Sequence, residues 1–381
     1  MKYQKTASRM LSSNHSYLQL IRLGIGHSAE QLCEPVDWNA MESLATKQGL
    51  LGVVLDGIQQ LPDDQRPPKV QMLQWIGQVM QGYEQRYAVY RKAIDALAAF
   101  YNAHGFRMML LKGYACGSDW PRPEHRPYGD IDIWLFGKQK EADAMLAKET
   151  GIEIDSSHHH HTVFNWMGFT VENHYDFVNV QALRASAEME KVFKELGRTE
   201  DAVLCHTDPW LIKLASHSTA GSGQVADFYL PSANLHSLFL LKHSISHFVG
   251  ANINLRQVLD WAFFVEKHTD EIDWEWLDGM IDRFHMNDFV GCLNAICVED
   301  LGFDAAIFKG VQFTPTQKDR VLADILEPAF TAETPKPLIP RVIFKYRRWK
   351  GNGWKHQICY GTSRWDGFWT LLMSNLMKPE V

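Results

Sequence analysis

The run Gly129-Asp130-Ile131-Asp132-Ile133 restricts the fold of this chain more than any other segment. Acidic and apolar side chains alternate there with the period of a β-strand. Asp130 and Asp132 therefore share one face, and Ile131 and Ile133 point the other way, into a core. Two carboxylates placed i and i+2 on a strand lie about 6.6 Å apart at Cα. They repel each other unless positive charge sits between them. Hard divalent cations such as Mg²⁺ meet that need, because they take oxygen ligands and keep their affinity for substrate phosphates. A pair of such ions stabilises both the attacking and the leaving oxygen of an in-line phosphoryl displacement.

The neighbouring segments extend this reading. FRMMLLKG (106–113) is a short apolar run that predicts a buried strand ending at Lys112-Gly113. A glycine at that end lets backbone approach a phosphate, and Lys112 or Arg126 could neutralise phosphate charge. DIDIWLF (130–136) predicts the second strand and KQKEADAMLAKET (138–150) a helix. HHTVFNW (160–166) and FTVENHYDF (169–177) flank Met167-Gly168 and predict a hairpin. The second of these strands carries Glu172, His174 and Asp176 on one face. Glu172 is the favoured third acid, as metal ligand or general base, with Asp176 as the competing choice nearer the strand end.

Helical spacing surrounds this unit. Residues 10–60 show it, LPDDQRPP (61–68) interrupts it, and a long helix is predicted from about 70 to 104. Further helices are predicted over 209–220, 231–249, 252–268, 273–300, 316–332 and 366–377. The expected architecture is α+β: a helical region over 1–104, a small mixed α/β core over 105–200 and a helical domain over 201–381. With 46% hydrophobic and 22% charged residues, the chain has ample material for a core. A net charge of −7 argues against a protein that coats nucleic acid over its whole surface. The six cysteines are scattered without CxxC pairs, as expected of reduced thiols in the cytoplasm. No stretch reaches the roughly 18 apolar residues of a membrane span, and no signal peptide is expected.

His158–His161 on a strand would divide between two faces, so an exposed polar strand edge is expected rather than a metal site. His243 and His247 have zinc-chelating i, i+4 spacing but no HExxH context, so a packed or substrate-facing role is expected. Arg256 either pairs with Asp260 along a helix or faces a triphosphate. Residues 336–360 carry seven Lys/Arg, no acid and interleaved aromatics. Such a segment can serve an anionic partner or simply pack its aromatics on the core.

Three of these motifs together, LLKG, RPYGDIDI and VENHY, resemble the polymerase-β-like nucleotidyltransferase superfamily. They are most similar to its uncharacterised bacterial branch with the pattern LKG…R…GDID…VExH. The resemblance implies a metal-dependent enzyme that transfers a nucleoside monophosphate from an NTP to a hydroxyl or phosphate acceptor. It implies Mg²⁺ or Mn²⁺ on Asp130, Asp132 and Glu172 as the catalytic set. It places Lys112, Gly113, Arg126, Gly129 and Arg256 at the nucleotide. The acceptor would be a small molecule, a protein or an RNA end. Tyr114 stands after Gly113, where the superfamily usually has Ser or Gly. That departure supports the alternative of a catalytically silent binding or regulatory protein.

Overall fold

The computed structural model describes residues 14–28, 32, 35–180, 185–197, 202–207, 226–250, 252–309, 315–330, 335 and 337–361. The helices expected over 209–220 and 366–377 lie outside these residues. Helices α1 (Trp38–Lys47) and α2 (Leu51–Gln60) precede the Pro-rich break. The long helix α3 then runs Lys69–Val79, through a π-turn at Met80–Glu84, to Gln85–Ala103. It ends where Gly105 takes a left-handed φ of 77°, a conformation glycine adopts without a Cβ clash.

One six-stranded mixed sheet follows, built from β1 (Met109–Leu111), β2 (Ile131–Trp134), β3 (His161–Trp166), β4 (Phe169–His174), β5 (Val203–His206) and β6 (Asp227–Leu230). Its order is β3-β4-β2-β1-β6-β5. The pairs β1/β2, β3/β4 and β5/β6 are antiparallel, whereas β2/β4 and β1/β6 are parallel. The predicted hairpin forms, with Met167 and Gly168 both at positive φ, as a tight two-residue turn requires. The sheet runs beyond residue 200, where the α/β core was expected to end, because β6 returns to pair with β1 through Met109 and Tyr229.

The period-two pattern decides which face does what. Ile131, Ile133, Val171 and Phe164 enter one core with Leu97 of α3 and Leu146 of α4 (Gln139–Thr150). Full burial of each such side chain contributes roughly 1.5–3 kcal/mol. The opposite face looks toward α5 (Ala233–Gly250) and α6 (Leu255–His268), which belong to the larger helical core together with α1 and α2. Gln48, between α1 and α2, ties the helical regions together by donating to the Ile325 carbonyl and accepting from the Leu255 amide, both at 2.8 Å. The span expected as one helix over 273–300 is broken by His285, at φ 56°, between Trp274–Arg283 and Asn287–Ala295. Among the described residues no helix is long and apolar enough to cross a membrane, and the described cysteines are free thiols.

The basic segment forms α7 (Leu338–Gly351) and α8 (Gly353–Tyr360). Part of it turns inward. Lys355 is buried on Asp324 at 2.5 Å and lies 4.4 Å from the Phe248 ring.

Candidate active site

The polar face of the sheet concentrates charge at one place. The β2–β4 register sets Asp132 directly beside Glu172, and His174 follows two residues later on the same face. β1 ends at Leu111, and Lys112 turns the chain sharply with φ 40° and ψ −132°. A non-glycine residue in that region carries strain of order 1–3 kcal/mol. Its side chain reaches the neighbouring strands: Nζ lies 2.5 Å from Asp132 Oδ1 and 4.0 Å from Glu172 Oε2. His174 Nε2 donates to Asp132 Oδ1 at 3.0 Å and lies 3.5 Å from Glu172 Oε2.

Burial alone would raise the Asp132 carboxyl. The Lys112 ammonium and the His174 hydrogen bond outweigh it and hold the carboxyl below its ordinary range. Glu172 is half-buried, and the His174 hydrogen bond and Lys112 bring its carboxyl down against that desolvation. Asp130 goes the other way: desolvation, and then the negative charge of Asp132, push its carboxyl up. Three carboxylates therefore face one ammonium and one imidazole, and Asp130 carries the unbalanced charge. Asp176, the competing third acid, pairs instead with Lys194 beyond the end of β4.

These groups open into a cleft of about 580 Å³. Lys112, Gly113, Gly129, Asp130, Asp132 and Glu172 form its sheet side. Arg126 and Arg256 line it as well, so all eight residues expected at a nucleotide site come together around one cleft. Its volume is within the range of small-molecule pockets. Gly113 has a local reason to be glycine. A Cβ there would come within 2.6 Å of the Tyr90 hydroxyl, which donates to the Asp130 carbonyl at 3.0 Å.

The two arginines differ. Arg126 is buried and forks onto Asp260, with Nε 2.8 Å from Oδ1 and Nη2 2.9 Å from Oδ2. Trp120 Nε1 donates to the same carboxylate at 2.9 Å. Arg256 stands 3.7 Å from Asp260, on the first turn of α6. Burial and the like charge of Arg126 push its guanidinium below its ordinary value. Arg126 is thus held by its partner, whereas Arg256 is a cation short of negative charge at the cleft wall.

Asp260 anchors Arg126 across 134 positions, a contact not legible in the sequence. Thr46 and Lys47 of α1 and Asn252 and Asn254 ahead of α6 also reach the cleft without a signal in the sequence. No local periodicity carries such pairings. The expectation of an exposed histidine edge is corrected as well. His159 and His161 are only 8% and 7% exposed. Residues 158–160 form a bend and the strand begins at His161, so strand alternation does not divide the histidines between faces. Burial pushes His160 down, His161 to about 4 and, across on α5, His247 to about 4.

A family model described as an uncharacterised nucleotidyltransferase matches residues 34–302, well over half of the chain. No curated protein and no solved structure matches it.

Proposed function

Because the chain belongs to this uncharacterised nucleotidyltransferase family, we propose that it transfers a nucleoside monophosphate from an NTP, in a Mg²⁺- or Mn²⁺-dependent reaction centred on Asp130, Asp132 and Glu172. One observation carries the reading: the β2–β4 register puts Asp132 beside Glu172 at the floor of the cleft that Arg256 lines. The donor set fits a hard cation. Lys112 already places positive charge between Asp132 and Glu172, and among the described residues Asp130 forms no ion pair of its own.

When bound, the metal supplies Lewis-acid stabilisation of charge on the phosphoryl oxygens. The protein's own groups bind and orient. Arg256 attracts the triphosphate, and Arg126 with Asp260 fixes the cleft wall beside it. Asp132 and Glu172, which the Lys112 ammonium now contacts, would hold the cation together with Asp130, and Lys112 would then offer its ammonium to the phosphates. The acceptor oxygen attacks the α-phosphorus, a hydroxyl acceptor losing its proton to solvent, the bond to the bridging oxygen breaks, and pyrophosphate leaves with the electron pair. Glu172, held below its ordinary value, suits the ligand role better than that of a free general base. The acceptor is a small molecule, a protein or an RNA end.

A second reading has one observation in its favour. The Lys112 ammonium already neutralises Asp132 and Glu172, as a silent descendant used for binding would require. Incubation with each labelled NTP, Mg²⁺ and cell extract separates the two. Metal-dependent label transfer, lost in Asp130→Asn, supports the enzyme; no transfer with any NTP supports the silent protein.

A further inference from the structure

We propose that His160, His161 and His174 form a binding site for a borderline divalent cation of the Zn²⁺ type, apart from the hard cation expected on the aspartates. The placement follows from the sheet. The β3–β4 register sets His161 directly opposite His174, so their side chains share a face. Their ring centres are 5.3 Å apart. His160 enters from the bend before β3, where its carbonyl accepts the amides of Tyr175 and Asp176 at 3.0 and 3.1 Å. Its ring centre lies 4.5 Å from His161 and 5.6 Å from His174.

One ligand nitrogen from each of the three residues lies within 4.8 Å of the other two. Ligands on a tetrahedral zinc with bonds of about 2.0–2.1 Å lie roughly 3.3 Å apart. Side-chain adjustments of about an ångström close that difference. Glu172 Oε2, 3.5 Å from His174 Nε2, offers an oxygen beside the three rings, and a cation taken by that nitrogen would replace its hydrogen bond to Asp132.

The rings do not fill an apolar core. They line a cavity of about 320 Å³ that Asp130 does not line and that shares Lys112, Glu172, His243 and His247 with the cleft described above. Among the described residues His161 Nδ1 is buried with no hydrogen-bond partner. A buried imidazole nitrogen left unmatched is unfavourable, and coordination by a cation satisfies it. Imidazole nitrogens with a single carboxylate suit zinc, cobalt, nickel or copper rather than Mg²⁺, which demands oxygen. The positive charge of Lys112 close by is already matched by Asp132 and Glu172.

The test is a Co²⁺ titration of the full-length protein without nucleotide, read by visible absorption, so it does not depend on any NTP activity. The expected result is one saturable set of strong bands, as given by four- or five-coordinate cobalt. Zn²⁺ removes them and millimolar Mg²⁺ does not. His161→Ala should weaken binding by about 100-fold, the upper end of what even outer-shell losses cost. His206→Ala, on the exposed strand β5, should leave it unchanged. Absence of saturable bands, equal binding by His161→Ala, or displacement by Mg²⁺ would overturn the proposal. Cobalt bound to the unaltered protein gives a second readout without any substitution: three hyperfine-shifted imidazole N–H protons support the site, and fewer than three refute it.

Discussion

At Asp260 one carboxylate meets one guanidinium in a fork, with a tryptophan N–H completing the contact. At Asp132, a cleft's width away, three carboxylates share one ammonium and one imidazole. Asp260 and Asp132 are both buried, and both are depressed below their ordinary values, although Glu172 is half-buried and Asp130 exposed. The difference lies in balance. A matched, fully hydrogen-bonded pair has nothing further to bind, so it fixes the geometry of the wall. A cluster with surplus negative charge keeps its affinity for a cation, and its surplus is borne by Asp130, whose carboxyl is pushed up. The matched cluster reads as scaffold and the unmatched one as site.

The contrast breaks if substitutions in the two clusters have the same kind of effect. Asp132→Asn should give the largest change, lowering metal-dependent NTP turnover by about 1,000-fold or more, the upper scale for loss of a preorganised charge partner. Circular dichroism should show an unchanged fold. Arg126→Ala should act on stability instead, by about 3 kcal/mol in denaturant unfolding, because Asp260 is left buried. That is the low end for a broken buried pair, since Arg256 stands close enough to compensate in part. Equal loss of stability in both variants would erase the distinction.

Lys112→Met tests the unmatched cluster from its cationic side. Removing the ammonium from between Asp132 and Glu172 should raise metal affinity severalfold in calorimetry without nucleotide. The same variant should weaken binding of the metal–NTP complex. A fall in both would mean that Lys112 supports the carboxylates rather than competing for them.

The smallest effect is in acid. Asp132 and Asp260 both have folded-state values below their ordinary ones. Their stabilisation is therefore fully present above the unfolded aspartate value, about 4, and is lost as pH falls through the lower folded values. Unfolding free energy measured against pH should show no slope from these two groups across the neutral range, where their contribution is constant, and a decline below about pH 4. Asp132→Asn should remove its share of that decline and leave the share of Asp260.

The legible parts of the molecule were those with local periodicity. Alternation at 130–133 foretold β2 and the side each residue takes, and the 169–174 strand foretold Glu172 on the same face as His174. The apolar series over 70–104 foretold α3, although not its π-turn. β5 and β6 were not foreseen. Each is four residues long, β5 has exposed Val203 and Leu204, and β6 finds its partner β1 about 120 positions earlier. The histidine run escapes strand alternation because residues 158–160 form a bend that precedes the strand. The roles of Arg126 and Arg256 could not be separated in sequence. Which of them takes Asp260 depends on the docking of α6 against the loop before β2.

Calorimetry of NTP binding, with and without Mg²⁺, on the unaltered protein and on Asp130→Asn tests the central claim most directly. The account predicts saturable binding only when Mg²⁺ is present, lost in Asp130→Asn while the unfolding midpoint stays within a few degrees. Binding that ignores both Mg²⁺ and Asp130, or no binding by the unaltered protein with any NTP, would contradict it.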